Sequence, residues 1–204
     1  MGNSSRVRPQ SAATPLSLVY DGWVRYNDAL LEVLDNAPEE FLLTSAGPDV
    51  KPPAEILRHI ALGRIEWLAR IDAPGFVDLR SRLPGVRTLD NGAVLVPQDC
   101  IALERQELRS WLVESAAALE RTLSEWTTDD LARTFRHPYQ GTDYALSAQW
   151  VLFRFVIHDF HHGGQLSLIC QLAGVDAPQL VWLGGHLTEP PVWRNSRETE
   201  APNV

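Results

Sequence analysis

The chain has 204 residues, 45% hydrophobic and 22% charged, which suits one globular domain with a sizeable core. A formal charge of −8 and the lack of any basic run exclude the electrostatic footprint of a nucleic-acid binder. The two cysteines, Cys100 and Cys170, are far apart and have no CxxC partner, which points to a reducing compartment. No apolar run nears about 18 residues, and MGNSSRVRPQ lacks the apolar stretch of a signal peptide. The expectation is a cytoplasmic protein with no membrane partner.

Residues 1–13 are small and polar and read as a disordered arm. Thr14-Pro15 then reads as an N-cap followed by proline in the first turn. Leu16, Val19, Trp23, Tyr26, Leu30 and Leu34 carry helical spacing to about Asn36. Pro38 to Leu43 adds a helical turn before a loop. Pro52-Pro53 opens a second helix with the apolar stripe Ile56, Ile60, Gly63, Trp67 and Ile71, and His59 stands at the edge of that stripe. Residues 73–97 form a long Gly- and Pro-containing connection, suited to a lid, a binding loop or a tolerated insertion. A third helix is predicted from about Gln98 to Trp126, with Ile101, Leu108, Leu112, Ala116, Leu119 and Leu123 inward. Phe135 to Tyr144 contains a proline and a glycine and reads as a short hairpin or an irregular loop. His137 precedes Pro138 and is read as a loop histidine outside any site. Ser147 caps a fourth helix that ends at Ala173 before Gly174. Pro178 to Leu187 suits a short fifth helix, and residues 189–204 a polar Pro-rich tail. The expected fold class is all-α: a four-helix bundle over residues 14–188, with a possible short hairpin before the last long helix.

The chemistry concentrates in FVIHDFHHGGQLSLICQLAG, Phe155 to Gly174. His158 and His162 are four residues apart, which on a helix places both imidazoles on one face, about 6 Å apart along the axis. Leu152, Phe155, His158, His162, Leu166, Ile169 and Ala173 make one stripe, so the pair is expected to face a core. Two buried imidazoles need a partner, and a divalent metal supplies one. His59 on the second helix is the third candidate, completing an open tripod of His59, His158 and His162. The bland alternative is three hydrogen-bonded packing histidines. His161 points to the flank and suits a supporting or surface role. Asp159 reads as a surface acid one position off the stripe; the alternative is a carboxylate orienting a ligand imidazole or acting as a base. Gln165 could hydrogen-bond a ligand or a substrate.

The string HDFHHGGQLSLICQLAGV resembles the signature helix of the DinB/YfiT-like proteins, which often reads HExHHRGQL, and ILRHIA around His59 resembles their second-helix motif. The resemblance implies a four-helix bundle of non-ferritin connectivity, the ligand set His59, His158 and His162, and a homodimer. It also implies a thiol-dependent transferase or isomerase that uses a low-molecular-weight thiol such as bacillithiol or mycothiol, acting on a small molecule. Two departures stand out: Gly163 occupies the place of the usual arginine, and Asp159 the place of a common glutamate. An all-imidazole site suits zinc or nickel first, then copper, cobalt or iron. A metal-dependent hydrolase is the competing expectation, with Asp159, Glu55 or Glu66 as base. A non-enzymatic, stress-associated bundle with a structural metal is the third.

Overall fold

The computed structural model describes residues 13–20 and 23–177; the expected fifth helix, the C-terminal tail and nearly all of the N-terminal arm lie outside the described residues. The chain enters as an extended clip, not as helix. Pro15 bridges Thr127, the Leu16 N–H donates to the Trp126 carbonyl at 2.9 Å, and the Thr128 N–H to the Thr14 carbonyl at 2.9 Å. With ψ at 140°, Pro15 cannot sit in a first helical turn. A 3-10 turn at Leu16–Leu18 follows, and α1 runs Trp23–Asn36, so the first helix starts later than the spacing predicts. Leu16 keeps the period because it is buried beside the helix Arg105–Glu125.

Pro38 leads into the short α2 (Glu39–Leu43), and Pro53 opens α3 (Pro53–Ala69). The long connection is structured: α4 (Phe76–Ser81) buries Phe76 and Leu79, and β1 (Arg87–Thr88) pairs antiparallel with β2 (Val94–Leu95). The third long helix, α5, spans Arg105–Glu125 and starts later than predicted. The residues before it turn, with the Cys100 N–H returning to the Pro97 carbonyl at 3.4 Å.

Of the two readings for the next segment, the hairpin is the one observed. β3 (Thr134–Tyr139) pairs antiparallel with β4 (Thr142–Ser147), with Thr134 opposite Ser147 and Tyr139 opposite Thr142. Gln140 and Gly141, at φ 48° and 78°, make the tight connection with both central residues left-handed. His137 therefore sits in a strand, opposite Tyr144. Helix α6 (Ala148–Ala173) starts where the Ser147 hydroxyl accepts the Trp150 N–H at 3.1 Å, and ends at Gly174 with φ 67°. The chain is thus mostly helical, with two small antiparallel ladders, and all-α describes it only approximately. α3 packs on both α5 and α6, and α1 packs on α5. Among the described residues, no helix is long and apolar enough to cross a membrane.

The buried line of α6 keeps Leu152, Phe155 and Leu166 of the expected stripe but departs from it by one residue at the histidines. It runs through Leu152, Phe155, Asp159, Gly163, Leu166 and Cys170, and leaves His158 and His162 half-buried on its flank. Asp159, read above as a surface acid, is 0% exposed. Its Oδ2 accepts from Nε of Arg64, also 0% exposed, at 2.6 Å. Arg64 Nη1 donates to Asn27 Oδ1 at 2.8 Å and, at 3.5 Å, to the Ser115 hydroxyl. Each long helix thus supplies one polar side chain to a single buried knot. That partner set is what makes burial of the carboxylate tolerable.

The two glycines of α6 have different standing. A Cβ on Gly163 would lie 2.7 Å from the Tyr26 hydroxyl oxygen, so the bare backbone admits the ring, whose hydroxyl donates to the Asp159 carbonyl. The seat of the Tyr26 ring, not room for a ligand, accounts for this glycine, and any side chain there would have to displace that ring. Gly164 faces open space, and nothing in the structure explains it. Gly164→Ala is expected to stabilise the protein by about 0.5–1 kcal/mol through the unfolded chain. Chemical denaturation of the two proteins checks this.

Candidate metal centre

α3 and α6 run antiparallel in a fixed register that can be read from three pairs. The His59 and His162 rings meet at 4.5 Å, Gly63 faces His158, and the Arg154 guanidinium lies 4.5 Å from the Trp67 ring centre. Each step is one helical turn, so the pairs form successive rungs of one ladder. The second rung depends on a glycine: a Cβ on Gly63 would stand 2.4 Å from His158 Cε1 and 3.0 Å from its Nδ1. Only the missing side chain lets the His158 imidazole lie across α3 towards His59.

The result is a cluster of His59, His158 and His162 in which one nitrogen from each ring lies within 4.8 Å of the others. His59 Nε2 and His158 Nε2 are 3.0 Å apart. Two imidazoles on a tetrahedral zinc, with bonds of about 2.0–2.1 Å, hold their nitrogens roughly 3.3 Å apart, so the pair is close to ligating distance. The outer nitrogens are occupied. His158 Nδ1 donates to Asp159 Oδ1 at a long 3.4 Å, and His162 Nδ1 donates to Gln165 Oε1 at 2.7 Å. A proton on each Nδ1 leaves each Nε2 as a lone pair, the tautomer a ligand needs. The donor set therefore fits a borderline transition metal.

The electrostatics favour neutral rings. Burial pushes His59 down to about 4, with the neighbouring His158 and His162 and the charge of Lys51 adding to the effect, and the Gln98 side chain opposing it. Burial also lowers His162, against the support of Gln165. Both are ready to ligate at neutral pH without first losing a proton.

The remaining sequence candidates fall around this cluster. His161 is exposed, its ring 4.9 Å from that of His162, and contributes no donor to the triad. Gln165 orients His162, and Asp159 touches His158 from the buried side. Glu66 accepts from Arg70 and from Gln98 Nε2, each at 3.3 Å, and burial raises its pKa. A cavity of about 390 Å³ opens along α6 beside His158, His161 and His162, walled by Trp150, Phe153 and Ile157. Sequence reasoning missed Arg64, because nothing in its own segment marks an arginine in an apolar stripe as buried. It also missed Arg154, although Arg154, His158 and His162 repeat at four-residue steps.

The sequence profile of the DinB superfamily matches residues 23–166, a span holding His59, His158 and His162. A solved structure of a DinB-like protein from Bacillus cereus is 19% identical, with 76% of this chain and 91% of that chain covered and a TM-score of 0.49. No curated protein matches the chain. The profile match spans well over half of the sequence, and the chain belongs to the DinB superfamily.

Proposed function

We propose that the protein binds a divalent transition metal, zinc or nickel, through His59, His158 and His162, and acts as a metal-dependent thiol transferase on a small molecule. The observation that carries this reading is the convergence of three imidazoles from two helices beside an open cavity. Among the described residues no fourth histidine, cysteine or carboxylate joins them, which leaves coordination positions for a ligand. When bound, such a metal supplies Lewis acidity, holding a small thiol as thiolate near neutral pH. The chain's own part is to orient. Asp159 and Gln165 fix two of the rings, and Trp150, Phe153 and Ile157 form an apolar wall beside them.

Burial pushes Cys170 up to about 11 and also raises Cys100, which disfavours either as the reacting thiolate and supports a low-molecular-weight thiol as co-substrate. Both cysteines are free, which supports a cytoplasmic setting. Our reading of α1, α3, α5 and α6 as one four-helix bundle rests on the knot that joins all four. A homodimer is supported by the exposed apolar row Trp150, Phe153, Ile157 and Leu168 on α6. The hydrolase alternative ranks lower, because Asp159 is engaged by Arg64 and Glu66 by Arg70 and Gln98, which leaves it Glu55, one turn before His59 on α3, as the remaining base named from the sequence.

Elemental analysis of protein purified without a histidine tag tests the proposal. Stoichiometric metal is expected in the wild type and its loss in His158→Ala and His162→Ala. A folded wild type that takes up neither zinc nor nickel would overturn it.

A further inference from the structure

Beyond the tripod, the α3–α6 ladder continues into a second cavity of about 530 Å³, closed on its far side by the β3–β4 hairpin. It shares Trp150 and Arg154 with the cavity at the histidines, so the two adjoin at these side chains and together make a trough. Its walls are chemically narrow in kind. Trp67, Trp150, Tyr139, Tyr144 and His137 contribute aromatic rings, Arg70 and Arg154 contribute charge, and among the described residues no carboxylate lines either cavity. For a chain of net charge −8, a trough whose charged side chains are both arginines is a local inversion.

The two guanidinium groups are held by stacking. Arg70 and Arg154 lie 4.3 and 4.5 Å from the Trp67 ring centre, and Arg154 also lies 5.5 Å from that of Trp150. A stacked guanidinium keeps its N–H edge free, and that planar fork matches a carboxylate in bidentate fashion. Arg70 already shares Glu66 at 3.3 Å, whereas Arg154 has no carboxylate partner among the described residues. Trp67 and Trp150, 5.7 Å apart and nearly edge-to-face, leave ring faces and edges for a flat apolar body. The volume is that of an ordinary small-molecule site.

We propose that this trough binds an aromatic carboxylate, its ring among Trp150, Tyr139 and Tyr144 and its carboxylate on Arg154, one helical turn from His158. The assignment rests on the metal-centre reading only for the meaning of that proximity: it would make the trough the acceptor side of the proposed thiol chemistry. Binding itself does not require the metal.

Calorimetric titration of the full chain with cinnamate and with cinnamamide, its neutral counterpart, provides the test. Cinnamate is expected to bind about tenfold more tightly or better, because a bond to a charged group is worth more than one to an amide. Arg154→Gln should abolish that preference and Arg154→Lys retain part of it, circular dichroism confirming the fold of each. His162→Ala, lacking metal, should still bind cinnamate. Equal affinity for acid and amide, or inorganic phosphate displacing cinnamate as well as cinnamate itself does, would overturn the proposal. So would binding that survives Arg154→Gln and disappears in His162→Ala; that pattern would place the carboxylate on the metal and leave the tripod reading intact.

Discussion

Asp159→Ala is expected to destabilise the protein by about 3–5 kcal/mol, the usual cost of removing one member of a buried ion pair. The change leaves Arg64 fully buried with a full charge and only Asn27 and Ser115 to face it. Among the described residues Arg64 Nη2 has no partner, so no spare acceptor stands ready to replace the carboxylate. For a chain of this length each kcal/mol lowers the melting temperature by roughly 2–4 °C, which predicts a fall of about 10 °C. The double variant Arg64→Met with Asp159→Leu should recover most of the loss, since an apolar pair of similar volume replaces a costly charge pair. Urea unfolding of the three variants separates these outcomes, and a single-variant loss under about 1 kcal/mol would contradict the buried-pair account. Asp159→Ala should also weaken metal binding by about 10–100-fold, because His158 loses the carboxylate that holds its Nδ1 proton.

Gly63→Ala should remove stoichiometric metal as completely as loss of a ligand while sparing the fold. The added methyl would meet the His158 ring at three atoms, the nearest 2.4 Å away, and a half-buried imidazole has room to swing outwards. Alanine is otherwise the better helix former, by about 1 kcal/mol, so secondary structure should be retained or strengthened. Zinc titration alongside circular dichroism checks both halves. A Gly63→Ala protein that still binds zinc tightly would show that His158 ligates from another rotamer.

The reach of the sequence differs from feature to feature. His158 and His162 were legible because a four-residue step has one meaning on a helix, and His59 because a motif flanked it. Their meeting could not be read from spacing, since it depends on Gly63 opposite His158, 95 residues away in sequence. Asp159 was misplaced because one residue is 100° of rotation. Only Arg64, on another helix, decides which side of that step faces inwards. The start of α1 was misread because Leu16 is buried in helical phase while its backbone pairs with Trp126. The trough was invisible for a simpler reason: it needs α3, α6 and a hairpin together, and His137, dismissed as a loop residue, lines it from β3.

The α3–α6 ladder also sets what length changes this region can absorb. A single residue inserted between Gly63 and Trp67 would turn the two ends of α3 about 100° out of phase with each other. His59 could then face α6 only if Trp67 turned away, so the histidine cluster and the arginine-lined trough cannot both persist. Substitutions can alter either end separately, but changes in length act on both at once. Insertions are better absorbed at Gln140-Gly141, where a tight turn ends in open space.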